Sequence, residues 1–350
     1  MRKNLTKNTE VRLLVIRTTA MGDVALTVPV ISGMRKQHPD VEIVMMTRKT
    51  FLPFFSAISG FRSFSPDFNG RHKGFFGLIR LFFDLRTEVK PDKIIDLHDV
   101  LRSKIIRFLF SLSGIPVYVI DKGRSEKKSL ITGKKKVVLK HSVERYADVF
   151  LKAGFPVTPE RNKTIISSEA DLGSVNSLTE PGFTNIGVAP FAKHKLKMWP
   201  EEYMIKLLEL ISSATPCRFF IFRGKEDTEA MKTYIEKVPG IYDVHGKMTL
   251  SGELALMSRL DLMISMDSSN MHLAAVCGTK VISIWGGTDP MAGFGAWMQP
   301  DNYSIRIPVE ELDCRPCTIY GKGRSRHGME CMRRLTPDIV FTRMKTLKVI

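Results

Sequence analysis

The sequence predicts an α/β protein built from two doubly wound parallel sheets. Its 350 residues are enough for two domains, each with its own core. Short apolar strands alternate with helical segments in both halves, and strands that are joined through helices pair in parallel. A polar segment with several prolines, residues 155–182, separates the halves. We therefore expect an N-terminal domain at 1–165, a linker at 166–182 and a C-terminal domain at 183–350, whose last helix could return to the first domain.

In the N-terminal half, apolar runs predict buried strands, and longer segments of helical periodicity predict the helices between them. The predicted strands are residues 11–16, 41–46, 93–97 and 117–120. The predicted helices are residues 24–37, 74–89, 101–112 and 142–153.

The alternation restarts after the linker and predicts the second sheet. Its predicted strands are residues 185–188, 218–222, 261–266 and 280–285. Its predicted helices are residues 201–212, 228–238, 251–258 and 269–276. The two halves share no sequence repeat, so any similarity between them is architectural.

The composition is that of an ordinary folded protein. The chain is 43% hydrophobic and 25% charged, which excludes disordered, collagenous and coiled-coil classes. Its first residues lack the apolar core of a signal peptide, and no apolar stretch reaches the ~18 residues of a spanning helix. Five cysteines, an odd number, suit a reducing compartment better than a disulfide framework. We therefore expect a cytoplasmic protein.

The net charge of +17 is concentrated in the first half of the sequence. Residues 1–165 contain 31 Lys and Arg against 15 Asp and Glu, a net of +16, which leaves +1 for residues 166–350. Such a field attracts an anionic partner, and nucleic acid, anionic lipid and phosphorylated glycan are the candidates. The alternative is a surface that serves only solubility.

The first candidate site follows the first predicted strand, where residues 17–23 read RTTAMGD. Ligands of open α/β sheets collect at the carboxyl ends of strands, and Asp23 stands there at the start of a helix. Gly22 is the one glycine of this loop, so the G-x-G-x-x-G fingerprint of a nicotinamide cofactor is missing. Asp23 is therefore a candidate for catalysis, and the alternative is a helix N-cap.

Two further candidates lie in the C-terminal half. An apolar strand ends at Asp267, and a helix begins at once with Ser268 and Ser269, an arrangement that binds phosphate through unpaired backbone N–H groups. His272, about one turn later, faces the same site or is an ordinary core histidine. Residues 193–200 read KHKLKMWP and bring three lysines to another strand end, where they bind phosphate or form a solvated loop.

Taken together, these motifs resemble those of glycosyltransferase family 9, the ADP-heptose:lipopolysaccharide heptosyltransferases. The matching motifs are TxMGDV at 19–24, KMWPEE at 197–202, KMTL at 247–250, DSSxMHLAA at 267–275 and IWGGTDP at 284–290. They stand in the family's order and extend over nearly the whole chain.

The resemblance implies the GT-B fold, in which two Rossmann-like domains face each other across a cleft. It also implies an inverting, metal-independent glycosyltransferase that moves a heptose, or a related sugar, from an ADP-sugar to a phosphorylated lipid A or lipopolysaccharide inner-core acceptor. The N-terminal domain would bind the acceptor, and the C-terminal domain the sugar nucleotide. The implied partners are the ADP-sugar, an anionic glycolipid and the cytoplasmic leaflet of the inner membrane, reached as a peripheral protein; no cofactor is expected.

The resemblance also implies roles for individual residues. Asp23 matches the general base, and Lys197 matches the lysine at the diphosphate. The other donor-binding residues are Met248 beside the adenine, Glu226 at the ribose (with Glu229 as its competitor), Asp267 at the sugar, and Ser268, Ser269 and His272 on the phosphate side. The family usually has glycine where Ser269 stands, and a small, hydroxyl-bearing run in place of residues 189–192. These departures concern the donor sugar more than the reaction class.

Basic residues of the first half are the candidates for the acceptor. Arg102, Lys104 and Arg107 are chosen from the charge of this half, and the lysine run at 134–136 is a second group that could serve solubility alone. Two other functions stay open. A nucleotide-sugar epimerase of the same fold would need no lipid acceptor, and a nucleic-acid-binding protein would use the basic half, although known motifs for it are missing.

Two remaining features, a group of cysteines with a histidine and a cluster of phenylalanines, each have more than one interpretation. Cys314, Cys317, His327 and Cys331 have the ligand types and the C-x-x-C spacing of a structural zinc site, and the alternatives are reduced thiols or a disulfide. Ten of the 21 phenylalanines fall in residues 51–83, among several Arg and Lys. They form ordinary core or an apolar surface that rests against the membrane.

Overall fold

A computed structural model describes residues 11–179, 181–325 and 327–350. The first ten residues of the predicted N-terminal domain, Glu180 of the predicted linker and Arg326 lie outside the described residues. The chain divides into two compact units. The first unit contains residues 11–121 and Val143–Glu160, and the second contains Lys122–Ser142 and Arg161–Ile350.

The strands of the described residues alternate with helices along the chain. The strands are β1 (Arg12–Ile16), β2 (Glu42–Met46), β3 (Arg62–Phe64), β4 (Lys93–Asp96), β5 (Val117–Val119), β6 (Thr184–Ala189), β7 (Cys217–Ile221), β8 (Ile241–Asp243), β9 (Leu262–Met266), β10 (Val281–Ile284) and β11 (Ser304–Ile305).

The α-helices of the same residues are α1 (Met21–Ala25), α2 (Val28–Gln37), α3 (Gly74–Asp84), α4 (Leu101–Leu112), α5 (Arg124–Ile131), α6 (Ser142–Lys152), α7 (Glu169–Val175), α8 (Glu201–Ala214), α9 (Thr228–Lys237), α10 (Leu250–Met257), α11 (Ser269–Val276), α12 (Glu330–Arg333) and α13 (Pro337–Thr346). A π-helical turn, Leu85–Val89, continues α3. Short 3-10 helices lie at Lys49–Phe55, Lys195–Lys197, Lys225–Asp227, Pro290–Ala292 and Asp301–Tyr303.

In the first unit, the described strands pair in the order β3-β2-β1-β4-β5, and the pairings are parallel. The register pairs Ile16 of β1 with Met46 of β2 and with Asp96 of β4. Three strands therefore end at one level, and the residues that follow them meet at one edge. The apolar run of β1 is continuous because helices cover both faces of a parallel sheet.

In the second unit, the described strands pair in the order β11-β10-β9-β6-β7-β8, again in parallel. The register pairs Ala189 of β6 with Ser265, and Met266 of β9 with Ile284 of β10. The carboxyl ends of these three strands are thus neighbours. Helix α13 packs against α8 in this same unit, with Val340 and Met344 in the core.

The sequence predicted four strands of each sheet and missed β3, β8 and β11, and the structure also differs from the prediction in several helices. The predicted helix 24–37 is two helices, because Pro29 lacks an N–H and its ring would clash with the carbonyl of Ala25 in one continuous helix. Helix α7 lies within the segment that the sequence analysis treats as a linker. The second unit resumes at Arg161, before that segment begins.

The charge division of the sequence does not follow the division into units. Residues 122–142 contain eight Lys and Arg against one Glu, a net of +7, and they belong to the second unit. Leu130 and Leu139 of this segment form a small core with Ala292 and Ile319. The +16 of the first half is therefore shared between both units, and the basic charge alone does not mark the first unit as the acceptor domain.

Candidate active site

The first group of polar side chains, which we call the β1 cluster, consists of Arg17, Asp23 and His98. Arg17 follows β1, and its Nη2 lies 2.5 Å from Oδ2 of Asp23. The guanidinium is buried and donates to the carbonyl oxygen of Leu97 at 2.6 Å, whereas the Asp23 side chain is 36% exposed. A buried cation therefore holds a carboxylate that a substrate can still reach.

Neighbouring groups raise the pKa of Arg17. Burial alone would lower its pKa, but Tyr146 and Asp23 outweigh burial and raise it. The ring of Tyr146 lies 5.8 Å from the guanidinium, and burial raises the pKa of this phenol. Arg17 therefore stays a cation beside Asp23.

Asp23 is the third residue of α1 rather than the residue that precedes the helix. Its Oδ2 lies 3.4 Å from the backbone nitrogen of Ala20, a weak cap on the helix start. Its backbone carbonyl accepts a bond from the Tyr146 hydroxyl at 3.4 Å. The capping role and a catalytic role are thus compatible, because one carboxylate oxygen faces both Arg17 and the helix start.

His98 and Asp96 are residues that the sequence analysis missed. The ring nitrogens of His98 lie 3.3 Å from the Thr18 hydroxyl and 3.1 Å from the Thr19 hydroxyl. Asp96, the last residue of β4, is fully buried and accepts the backbone N–H groups of His98 and Asp99. The available signal was the D-L-H-D sequence after the fourth strand, because neighbouring parallel strands end at the same edge.

The three basic residues chosen for the acceptor differ in their surroundings. Arg107 donates to Asp96 at 2.8 Å and to Asp99 at 3.1 Å, so its charge is compensated within the unit. Lys104 is exposed, with its Nζ 3.9 Å from Asp99. Arg102 is also exposed and lies over the ring of Phe68, 4.7 Å from its centroid.

A small pocket lies beside the β1 cluster within the first unit. Thr18, His98 and Arg102 supply its polar lining. The rest of its lining is Ile16, Met46, Phe68, Leu78, Leu81, Ser103 and Ile106. The structure therefore brings Arg102 to the same edge of the sheet as Asp23.

The second group, which we call the β9 cluster, consists of Lys197, Asp267 and Thr288. Asp267 directly follows β9, and Lys197 ends the 3-10 helix that follows β6. The Lys197 Nζ lies 2.8 Å from Oδ2 of Asp267, and the Thr288 hydroxyl donates to the same oxygen at 2.8 Å. Both charged side chains are mostly buried, at 17% and 7% exposed.

The surroundings of the β9 cluster are rich in cations. Burial lowers the pKa of His194, and the charges of Lys197, Lys322 and Lys193 lower it further, while Asp267 opposes them. Three lysines, Lys193, Lys197 and Lys322, therefore place positive charge around His194. A diphosphate would relieve this crowding of positive charge.

The residues predicted for phosphate contact lie at the start of α11. Ser268 is the N-cap residue in extended conformation, and its hydroxyl lies 3.1 Å from that of Ser265. Ser269 opens the helix, and His272 is buried one turn later. The first N–H groups of such a helix have no partner within it, so they are available to an anion beside Asp267.

Glu226 lies in the turn after β7. The Glu226 carboxyl group folds back over Gly224, where an added Cβ would come within 2.6 Å of the carboxyl carbon. Arg223 supports the turn through a 2.7 Å ion pair to Asp243 and a bond to the Gly224 carbonyl. Glu226 itself is exposed at this strand end.

Met248 and Glu229 complete the predicted donor residues. Met248 is half-buried just before α10 and lies against Gly252. A Cβ added at Gly252 would lie 3.0 Å from the Cβ of Met248. Glu229 is exposed on α9 and pairs with Lys232 at 2.7 Å. Glu229, the alternative to Glu226 for the ribose, therefore forms an ion pair on a helix surface.

Of the four residues that the sequence offers as a zinc site, the structure brings Cys314 and His327 together. Cys314 and Cys331 are buried, Cys317 is half-buried, and all three are free thiols. The ligand atoms of Asp313, Cys314 and His327 lie within 4.8 Å of one another.

Comparison with known proteins assigns this arrangement to a family. The family model described as "Glycosyltransferase family 9 (heptosyltransferase)" matches residues 79–319. Lipopolysaccharide heptosyltransferase 1 of Escherichia coli (strain K12) is 22% identical over 313 residues, which cover 86% of this chain and 95% of that protein.

Solved structures show the same fold. A glycosyl transferase family 9 protein from Veillonella parvula superimposes with a TM-score of 0.75 at 20% identity, covering 97% of both chains. The E. coli heptosyltransferase WaaC, solved with ADP-2-deoxy-2-fluoro heptose, gives a TM-score of 0.65 at 18% identity over 96% of this chain and 100% of that one. The GT-B fold class predicted from the sequence is confirmed. The chain belongs to glycosyltransferase family 9 and is a glycosyltransferase.

Proposed function

We propose that this glycosyltransferase moves a heptose, or a closely related sugar, from an ADP-sugar to a phosphorylated lipid A or inner-core acceptor of lipopolysaccharide. The proposal includes inversion at the anomeric carbon and no catalytic metal ion. The observation that carries it is the β9 cluster, where Lys197 and Asp267 meet beside the start of α11. The lipopolysaccharide relative supports the choice of acceptor.

The donor is assigned to the second unit. The β9 cluster and the first N–H groups of α11 offer a cation and backbone donors to a diphosphate. Once a donor is bound, Lys197 contacts the phosphate oxygens, and Asp267 is left to accept hydrogen bonds from sugar hydroxyls. Glu226 and Met248 extend the site toward the ribose and the adenine.

The chemistry is a single displacement. An acceptor hydroxyl oxygen attacks the anomeric carbon, the bond from that carbon to the oxygen of the β-phosphate breaks, and ADP leaves. Asp23 takes the hydroxyl proton, and Arg17 orients its carboxylate for this step. The negative charge that develops on ADP is stabilised by Lys197 and the start of α11.

The acceptor is assigned to the edge of the first sheet. Arg102 and Lys104 are exposed near the pocket that Thr18 and His98 line, and their charges suit the phosphates of a glycolipid. Arg107 supports this edge by compensating Asp96 and Asp99. We therefore assign contact with the acceptor phosphates to Arg102 and Lys104, and a positioning role to Arg107.

An apolar surface on α3 and α4 supports a peripheral place on the inner membrane. None of the helices in the described part of the chain combines the length and apolarity that a membrane span requires. Helices α3 and α4 pack together and expose large apolar side chains. These are Phe75, Phe76, Phe83, Leu101, Phe108 and Leu112, which are 55–77% exposed. Exposed Lys73 and Arg80 on the same stretch suit anionic headgroups.

The clustered phenylalanines thus divide between the two roles that the sequence left open. Phe51, Phe54, Phe55 and Phe82 are buried core residues. Those of the α3 surface are the ones available to a membrane.

A panel of nucleotide sugars tests the donor assignment. Purified protein is heated with ADP-, GDP- and UDP-sugars, and the melting temperature is recorded. We expect ADP-heptose to raise it most, since a ligand that binds the folded state stabilises that state by mass action. An equal shift from all three nucleotides, or a larger one from a UDP-sugar, would contradict the assignment.

A further inference from the structure

The loop that follows β10 holds one oxygen of the Asp267 carboxylate. Residues 285–289 read WGGTD, and the Thr288 hydroxyl donates to Oδ2 of Asp267 at 2.8 Å. Lys197 contacts the same oxygen at 2.8 Å. No hydrogen bond or ion pair within the described part of the chain reaches the other oxygen, Oδ1. The protein therefore fixes the carboxylate through Oδ2, and Oδ1 is the oxygen left to a ligand.

A buried ion pair fixes this loop. The Arg315 guanidinium is fully buried, and its Nη2 donates to Asp289 at 2.9 Å and to the Thr288 carbonyl at 3.2 Å. Its Nη1 donates to the Trp285 carbonyl at 3.3 Å. The other oxygen of Asp289 accepts the backbone N–H of Met291 at 3.0 Å and so caps the short helix after the loop. The guanidinium thus joins both ends of the loop, with Thr288 between its contacts.

The same loop is bonded to the segment that carries Lys197. The backbone N–H of Gly287 donates to the Leu196 carbonyl at 2.9 Å, and the Gly287 carbonyl accepts the Thr318 N–H at 3.1 Å. A Cβ added at Gly287 would lie 3.1 Å from the Leu196 carbonyl oxygen, so the two backbones are in close contact. The hydroxyl and the ammonium that meet at the Asp267 carboxylate therefore come from segments joined through their backbones.

We propose that Thr288 is a positioning residue for the donor sugar, and that Arg315 and Asp289 hold it in place. This role rests on the proposed function, in which Lys197 contacts the phosphate oxygens once a donor is bound. Thr288 is then the hydrogen-bond donor that remains on Oδ2 of Asp267. Because the hydroxyl is neutral, it orients the carboxylate without compensating its charge. Oδ1 therefore keeps both the orientation and the charge with which it accepts a sugar hydroxyl.

The positioning role separates binding of the sugar from binding of the nucleotide. A nucleotide sugar meets the oriented carboxylate, whereas the free nucleotide has no sugar to place there. Loss of the Thr288 hydroxyl should therefore weaken the first ligand selectively. A residue that only stabilised the fold would affect both ligands alike.

Calorimetry with a nucleotide sugar and with its free nucleotide tests the proposal. The sugar nucleotide used is the one that stabilises wild type most in the panel of ADP-, GDP- and UDP-sugars. In Thr288→Val, which removes the hydroxyl and keeps the size of the side chain, we expect its Kd to rise about 10-fold, as for one hydrogen bond to a charged group. The Kd of the free nucleotide should change less than about twofold. Thr288→Ser retains a hydroxyl and should restore most of the lost affinity.

Thr279→Val is the matched control. Thr279 is buried in the same unit, and its hydroxyl donates to the Met257 carbonyl. It precedes β10, whereas the loop with Thr288 follows that strand. Thr279→Val should lower the melting temperature and leave the ratio of the two Kd values as in wild type. Thr288→Ala removes the same hydroxyl as Thr288→Val and gives the same test if the valine variant does not fold.

Arg315→Lys tests the support of Thr288, because it keeps the buried charge and loses the second nitrogen that reaches the loop. It should raise the ratio of the two Kd values in the same direction, and an unchanged ratio would overturn the role of Arg315. Equal weakening of both ligands in Thr288→Val, an unchanged Kd of the nucleotide sugar, or a changed ratio in Thr279→Val would overturn the role of Thr288. Wild type that binds no member of the panel would instead contradict the proposed function, and the positioning role with it.

Discussion

Lys197 and Asp267 form a 2.8 Å ion pair between segments that follow the neighbouring strands β6 and β9. Two motifs that stand far apart in the sequence thus meet at one edge of the second sheet. The pair is mostly buried, and Thr288 supplies a further hydrogen bond to the carboxylate. Such a pair holds Lys197 in place for an incoming diphosphate.

The first prediction concerns Lys197. Lys197→Ala should weaken ADP binding by about 1.5–3 kcal/mol, roughly 10- to 150-fold in Kd, because a charge-assisted contact to phosphate is lost. Calorimetry with ADP measures this. Lys195→Ala is the matched control, an exposed lysine of the same loop, and should change Kd little. His272→Ala should have a smaller effect than Lys197→Ala. An unchanged Kd for Lys197→Ala would shift the assignment to Lys193 or Lys195.

The second prediction concerns Asp23. Asp23→Asn should lower kcat by roughly 10²–10⁴ while ADP affinity stays the same, since the amide cannot take the acceptor proton and the donor binds elsewhere. Single-turnover transfer and calorimetry measure the two effects. Asp40→Asn, an exposed aspartate of the same unit, is the control and should retain activity. Near-normal turnover of Asp23→Asn would remove this residue from the mechanism.

The third prediction concerns the acceptor. The double variant Arg102→Ala/Lys104→Ala should raise the acceptor KM for phosphorylated substrate and leave the donor KM unchanged. Salt should act in the same direction, because exposed contacts are screened over a Debye length of about 8 Å at physiological ionic strength. Saturation curves with phosphorylated and dephosphorylated acceptor, at low and moderate salt, measure this. Equal acceptor KM in all four conditions would exclude an electrostatic acceptor site.

The lysine run at 134–136 supplies the control for that experiment. It belongs to the second unit, and the Lys136 Nζ donates to the Asp313 carbonyl at 2.9 Å. Changing all three lysines to alanine should leave the acceptor KM unchanged, although it removes three positive charges and the Arg102→Ala/Lys104→Ala variant removes two. Arg107→Ala is unsuitable as a probe of binding, because it would leave the buried Asp96 without its cation and destabilise the fold.

The fourth prediction is a pH dependence from Glu253 on α10. Burial raises the pKa of this carboxyl from 4.5 to about 7 in the folded state. Below about pH 4.5 both states are protonated and Glu253 costs no stability. As the pH rises from there to about 7, the unfolded chain ionises first, and the free energy of unfolding falls. Glu253→Gln should therefore be more stable than wild type by about 1–3 kcal/mol at pH 8 and equal to it near pH 4.5.

Chemical denaturation at both pH values measures this difference. Glu236→Gln is the control, because Glu236 is exposed in the same unit and its substitution should change stability equally little at both pH values. A Glu253→Gln variant that is less stable than wild type at pH 8 would show that the carboxylate makes a favourable contact.

Local patterns were sufficient to predict most strands of both sheets and to select Asp23 and Asp267 as candidate site residues. Asp267 directly follows an apolar strand, and Asp23 stands at the start of the helix after another, so their place at a sheet edge could be predicted from the sequence. His98 was missed because its partners, Thr18 and Thr19, lie on a different strand end, and only the register of β1 with β4 brings them together.

The division of the basic charge between the two units could not be predicted for a similar reason. Residues 122–142 join the second unit through Leu130 and Leu139, and the residues that receive them, Ala292 and Ile319, come much later in the chain. No local signal in the segment reports a partner so distant in sequence. The basic charge of the first half therefore looked like a property of one domain.

The most direct test of the central claim is transfer itself. Purified protein is incubated with ADP-heptose and phosphorylated lipid A bearing inner-core sugar, and the product is followed by mass spectrometry and by NMR of the new anomeric centre. We predict one added heptose per acceptor, release of ADP in equal amount, and an anomeric configuration opposite to that of the donor. Release of ADP without a glycolipid product, or retention of the donor's configuration, would contradict the account.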